Sequence, residues 1–139
     1  MYDAGMKLNK DLVAAYAAPL ILSILEDGES YGYAILERVR ALSGGAVEWT
    51  DGMLYPVLHR LEANGYVASR WGKSETGRRR KYYALKAAGR AALTDQKEQW
   101  RVAVQMLGQL WGGLTWKTSS GKSSAGGGVS PRLSPDAPT

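Results

Sequence analysis

The chain has 139 residues, with 18 Lys or Arg against 13 Asp or Glu, no cysteine and no phenylalanine. That length supports one domain with appendages, and the missing cysteine excludes a disulfide framework, thiolate metal sites and a cysteine nucleophile. The formal net charge of +5 favours a polyanionic partner but does not choose between DNA, RNA and anionic lipid.

The longest apolar run, Leu20 to Leu25, follows Pro19 and is far too short for a membrane span. Met1 to Asp11 has no apolar signal-peptide core. The expectation is a soluble, cytoplasmic protein with no membrane partner.

In chain order, Asp11 to Glu26 reads as a helix, with Leu12, Ala15, Leu22 and Leu25 apolar. Pro19 lacks a donor, so the helix is expected to kink or restart there. Ser30 is a candidate N-cap for a second helix, Tyr31 to Ser43. Its apolar stripe is Ile35, Leu36, Val39 and Leu42, and Gly44-Gly45 ends it where positive φ is easy. Val47 to Trp49 reads as a short strand.

Thr50 is placed to cap a third helix, with Asp51 in the first turn where the helix dipole favours negative charge. Leu54, Val57, Leu58 and Leu61 fall in one arc and face a core. Pro56, His59 and Ala63 lie opposite, flanked by Tyr55 and Arg60. Pro56 costs a helical hydrogen bond, so a bend is expected. Asn64-Gly65 closes the helix.

Tyr66 to Trp71 is strand-like, Gly72 to Gly77 is a polar turn, and Arg78 to Leu85 returns as a second strand. This is a β-hairpin. The order helix, helix, short strand, helix, hairpin is a winged helix-turn-helix plan.

From Ala87 to Leu114 the pattern is helical, with one interior doubt at Gly89. Leu93, Trp100, Leu107 and Leu114 recur every seven residues. Val104 and Trp111 add a second line, which makes a heptad-like seam. Twenty-eight residues would span about 42 Å, more than a small winged domain needs for its own core, so a dimer helix is favoured over an amphipathic helix lying on its own domain. From Thr115 onward the chain is Ser-, Gly-, Thr- and Pro-rich and is expected to be disordered.

The fold class is therefore mostly α with a small β-hairpin, a winged helix-turn-helix followed by a long C-terminal dimerisation helix. Residues 8–86 form the DNA-binding domain, 87–114 the helix and 115–139 the tail.

The cations Arg78, Arg79, Arg80 and Lys81 mean either a solvated edge or a phosphate-binding wing. Beside a helix-turn-helix the wing is favoured. Side chains alternate along a strand, so Arg78 and Arg80 face one way and Arg79 and Lys81 the other. Lys81 shares its face with Tyr83 and Leu85, which makes it a flank. Lys73 at the turn is freer to follow a backbone. Such cations supply affinity without base information.

Base reading then falls to the third helix, through Tyr55, His59 and Arg60, with Met53 for a thymine methyl. Structural alternatives are a buried Tyr55 hydroxyl, or an ion pair of Arg60 with Glu48 or Glu62.

Several words in the sequence are distinctive. They are Gly32-Tyr33, Gly44-Gly45, Leu54-Tyr55-Pro56 with Leu58 to Glu62, Trp71-Gly72, Glu75 to Tyr83, and Leu85 with Ala88-Gly89-Arg90. In this order and spacing they resemble the PadR family of transcriptional regulators, over roughly Leu20 to Leu93. The resemblance implies homodimeric DNA-binding repressors released by a small molecule.

The single C-terminal helix resembles the short subfamily, which includes multidrug-binding repressors. There a tryptophan on this helix helps form a flat pocket between subunits, and Trp100 stands at the matching position. The resemblance implies a pocket at Trp100 open to a planar aromatic effector, its wall completed by Leu12, Ala15 and Val104. The seam residues Leu93, Leu107 and Trp111 are assigned to the dimer interface, and plain interface core is the alternative for Trp100. The chain departs from the family pattern at Pro19 and in its tail.

An enzyme is the rival class. His59 is the sole histidine, no nucleophile elbow surrounds any serine, and no metal-ligand cluster or phosphate-binding glycine loop is present. No catalytic residue, metal or cofactor is assigned. A winged-helix interaction or RNA-binding module without a small-molecule response is the second rival.

Overall fold

The computed structural model describes residues 7–112. Within them lie α1 (Lys10–Glu26), β1 (Ser30–Tyr31), α2 (Gly32–Leu42), α3 (Asp51–Ala63), β2 (Val67–Lys73), β3 (Arg79–Leu85) and α4 (Ala87–Trp111). The chain divides into two compact units at Glu98 and Gln99. The first holds every element up to the first half of α4, and the second begins with the rest of that helix. The expected tail, residues 115–139, and Leu114 of the seam lie outside the described residues.

Helices α1, α2 and α3 form where apolar residues recur at helical spacing, and they share one core. Ile21, Leu22 and Leu25 of α1 meet Ile35 and Val39 of α2, and Leu54, Leu58 and Leu61 of α3. Val67 of β2, Tyr83 of β3 and Leu93 of α4 close it. The arc predicted for α3 is the buried one, and Pro56, His59 and Ala63 are exposed opposite it.

The restart allowed for at Pro19 does not occur, and two further local expectations, at Ser30 and at Val47 to Trp49, are corrected. Helix α1 runs unbroken through Pro19. A proline inside a helix costs about 3 kcal/mol, whereas burying a large aliphatic side chain returns about 1.5–3 kcal/mol. Ile21, Leu22, Ile24 and Leu25, all beyond Pro19, are buried only if the helix continues. Helix α3 also continues through Pro56, where a bend and not a break is the expectation.

Ser30 is not the cap of α2. It stands in β1 opposite Tyr83, and α2 starts at Gly32 with Tyr31 as an N-cap that makes no side-chain bond. Val47 to Trp49 is not a strand either. The Val47 N–H goes to Ser43 Oγ at 2.9 Å, and the buried Trp49 stacks on Tyr16 with centroids 6.2 Å apart. Thr50 is the N-cap of α3 as expected, but through its carbonyl, which accepts from Met53 and Leu54 at 3.0 Å, and not through its hydroxyl.

The strands form one antiparallel sheet in the order β1-β3-β2. The hairpin has the expected position, with Gly77 at φ 86° closing its turn onto Ser74. Helix α4 passes through Gly89, which is buried because α4 starts against β2. The Lys86 N–H donates to the Tyr66 carbonyl at 2.9 Å, and a Cβ on Gly89 would lie 2.2 Å from that same oxygen.

Candidate nucleic-acid interface

Register decides which wing side chains share a face. Trp71 stands opposite Lys81, Gly72 opposite Arg80 and Lys73 opposite Arg79. Alternate residues of a strand face one side, so Ser69, Trp71 and Lys73 stand with Arg79, Lys81 and Tyr83. This face turns to α3, since Ser69 Oγ donates to Glu62 Oε2 on that helix at 2.7 Å. Farther out it carries Trp71, with the Arg79 guanidinium 4.4 Å and the Lys81 ammonium 5.9 Å from the ring centroid.

The other face is a continuous stack. Arg70 lies 4.8 Å over Tyr82, Tyr82 meets Tyr31 edge-on at 5.6 Å, and Arg80 sits 4.1 Å over Tyr31. The expected division of Arg80 from Arg79 and Lys81 is the observed one.

Charge on this side of the molecule is unevenly compensated. Arg70 is clamped by Glu29, with Nε donating to Oε1 at 3.1 Å and Nη2 to Oε2. That hydrogen bonding holds the Glu29 carboxyl below the usual carboxylate range and raises Arg70 further. On α2, Arg38 is paired with Asp27 at 3.0 Å and Arg40 with Glu48 at 3.1 Å.

Lys73, Arg78, Arg79, Arg80 and Lys81 have no carboxylate partner among the described residues, and neither has Arg60. The two acids that sequence offered Arg60 are engaged elsewhere, Glu48 by Arg40 and Glu62 by Ser69. Lys7, Lys10, Lys86 and Arg90 are likewise without a carboxylate, but the one cluster of unpaired cations among the described residues is the wing, with Arg60 on α3.

A cleft of about 510 Å³ opens between the wing and the start of α2, lined by Tyr31, Gly32, Tyr33, Tyr55, Trp71 and residues 78–81. Tyr55 is half-buried against the core, and its hydroxyl fills the space beside Gly32, where a Cβ would come within 2.1 Å of Oη. The glycine makes room for the tyrosine, so Tyr55 braces α2 on α3 while its ring borders the cleft. Met53 is also half-buried against the core. His59 and Arg60 are exposed.

The model of the transcriptional regulator PadR-like family matches residues 21–95, more than half of the chain. The chain belongs to the PadR-like family. Transcriptional regulator Rv3488 of Mycobacterium tuberculosis is 34% identical over 101 residues, which cover 73% of this chain and 88% of that protein. Among solved structures, a PadR family transcription regulator of Clostridium difficile R20291 is 34% identical with a TM-score of 0.62, covering 70% of this chain and 99% of that one. A transcriptional regulator from Clostridium thermocellum is 32% identical with a TM-score of 0.65, covering 71% and 96%. The winged-helix fold and the regulatory, non-enzymatic class follow from membership.

The interface residues expected of a PadR-type dimer fall into separate groups. Leu12 and Ala15 are exposed on α1. Leu93 is a correction. It is 1% exposed and packed in the core of its own chain, so it faces no partner. In the second half of α4, Trp100 and Val104 are half-buried, and Leu107 and Trp111 are exposed. Val102, Met106 and Leu110 are exposed there too, which seven-residue spacing alone did not single out.

Sequence reasoning also missed the roles of Tyr31, Trp71 and the Glu29–Arg70 clamp. A cation near an aromatic in sequence does not reveal which cation stacks on which ring. That needs the register of the two strands.

Proposed function

We propose that this PadR-type regulator binds an inverted-repeat operator in duplex DNA as a homodimer and represses transcription there. The observation that supports it best is the distribution of unpaired charge. The wing cations lack carboxylates while those of α2 are paired, as expected if phosphates are the wing's partners. His59 and Arg60 stand on the outer face of α3, where a recognition helix offers side chains to base edges, with Met53 and Tyr55 behind them. Lys73, Arg78, Arg79 and Arg80 follow the flanking backbone. Two such helices would enter successive major grooves about 34 Å apart.

The second half of α4 is the dimer element in this reading. It leaves Val102, Met106, Leu107, Leu110 and Trp111 exposed, more apolar surface than a soluble helix keeps uncovered without a partner. Trp100 serves in response to a planar aromatic effector, which releases DNA by favouring a dimer whose helix spacing no longer fits the operator. Such a protein works in the cytoplasm. Among the described residues no helix is long and apolar enough to cross a membrane.

The test of dimer-dependent binding is Leu110→Asp, at a position 83% exposed in the single chain. Burying a leucine is worth about 1.5–3 kcal/mol. Losing two across a two-fold axis weakens association by roughly 10²–10⁴-fold. Sedimentation is expected to show a dimer for the parent chain and a monomer for the variant, with operator affinity falling in step. A variant that stays dimeric and binds normally would refute the assignment.

A further inference from the structure

Trp71 is 57% exposed, and its ring is not part of the core. It stands on β2 directly opposite Lys81, and Arg79 is diagonal to it on the same face. That face turns toward α3, as the Ser69–Glu62 bond shows. Over the ring lie the Arg79 guanidinium at 4.4 Å and the Lys81 ammonium at 5.9 Å. Neither cation has a carboxylate partner among the described residues. The indole is the group that sets where Arg79 stands, while Lys81 is shared between it and the Tyr83 ring at 5.8 Å.

An exposed arginine ordinarily samples many rotamers, and ordering it on binding opposes affinity. A guanidinium stacked on an aromatic face has lost part of that freedom already. It keeps its N–H edges free, because stacking uses the plane of the group and hydrogen bonds use its rim.

We infer that Trp71 is a positioning residue for nucleic-acid binding, holding Arg79, and more loosely Lys81, on the α3 side of the wing so that they meet the phosphate backbone pre-ordered. The inference rests on the proposed DNA binding and adds a specific division within the wing. Arg79 and Lys81 supply the charge, and Trp71 supplies their placement without itself neutralising a phosphate. The Arg80–Tyr31 pair on the opposite face is built alike, but Tyr31 also carries β1 and the entry to α2, so it offers no clean test.

The experiment is a double-mutant cycle at Trp71 and Arg79 in the full chain. Binding to operator and to random duplex is measured across a salt series. Arg79→Ala removes a charge, so the slope of log affinity against log salt should shrink by roughly 0.9 per wing. Trp71→Leu keeps apolar bulk but removes the π face. It should lower affinity for both duplexes by about 2- to 5-fold per wing, the range of an exposed cation–π contact, with the salt slope unchanged.

Trp71→Phe should recover most of that loss. In the Arg79→Ala background the effect of Trp71→Leu should fall to less than half of its value in the parent chain, because the side chain it positions is gone. Full additivity, or normal affinity for both Trp71→Leu and Trp71→Ala, would overturn the positioning role while leaving DNA binding standing. Failure of the parent chain to bind duplex with any salt dependence would instead sink the functional proposal itself.

Discussion

Replacing Gly89 by alanine should destabilise the winged domain, although alanine is the better helix former. The Cβ would sit 2.2 Å from the Tyr66 carbonyl oxygen, 2.7 Å from Leu85 Cδ1 and 3.0 Å from the Tyr66 carbonyl carbon. Ordinary contacts begin near 3.4 Å, so α4 and the start of β2 must separate by roughly 1 Å. The oxygen cannot swing aside without losing the Lys86 N–H that it accepts at 2.9 Å. Overpacking of this kind costs about 1–3 kcal/mol or more, and the helix propensity gained is at most about 1 kcal/mol. An approach of 2.2 Å to a backbone oxygen belongs at the upper end of that range, so the net loss is about 2 kcal/mol and lowers the unfolding midpoint by roughly 8–16 °C for a domain of this size.

Gly52 is the matched control. It is exposed in α3, and its Cβ would meet nothing closer than Thr50 Oγ1 at 3.7 Å. Gly52→Ala should raise stability by about 0.5–1 kcal/mol. Thermal unfolding followed by circular dichroism reads both variants. Movement in the same direction, or a Gly89→Ala variant as stable as the parent, would refute the close approach.

Two further outcomes are expected. The Glu29 carboxyl, held below its usual range by Arg70, contributes to anchoring β2 at every pH above the ordinary carboxylate value, and that contribution disappears as pH falls through the depressed one. NMR titration should therefore show the Glu29 midpoint rising to the ordinary range in Arg70→Gln, and an unmoved midpoint would dissociate the pair. Planar aromatic compounds that release DNA should lose that effect in Trp100→Ala. A variant that still responds removes Trp100 from the effector site.

The helical core was legible because it rests on periodicity. Leu54, Val57, Leu58 and Leu61 announce a buried face by spacing alone, and turn residues mark the hairpin. Pairing partners were not legible. Ser30 is a good N-cap by composition, and only the approach of β3 converts it into a strand residue opposite Tyr83. Leu93 fits a heptad seam, yet the fold of the first unit closes over it before a second chain can. At Pro19 a local rule was outweighed by burial beyond it.

The candidate interface divides in the same way. Its charge was readable from the run at residues 78–81. The selection of which cations stay unpaired depends on where Glu29, Asp27 and Glu48 come to rest, and that is set by tertiary structure.

The central claim is that α3 chooses the sequence while the wing holds the backbone. The most direct measurement compares Arg60→Ala with Arg79→Ala on an operator duplex and on random duplex, across a salt series. Arg79→Ala should weaken both duplexes alike and reduce the salt slope by roughly 0.9 per half-site. Arg60→Ala should weaken the operator by about 1–3 kcal/mol per half-site and leave random duplex nearly unchanged. Equal losses on both duplexes for Arg60→Ala, or an unchanged slope for Arg79→Ala, would contradict that division of labour.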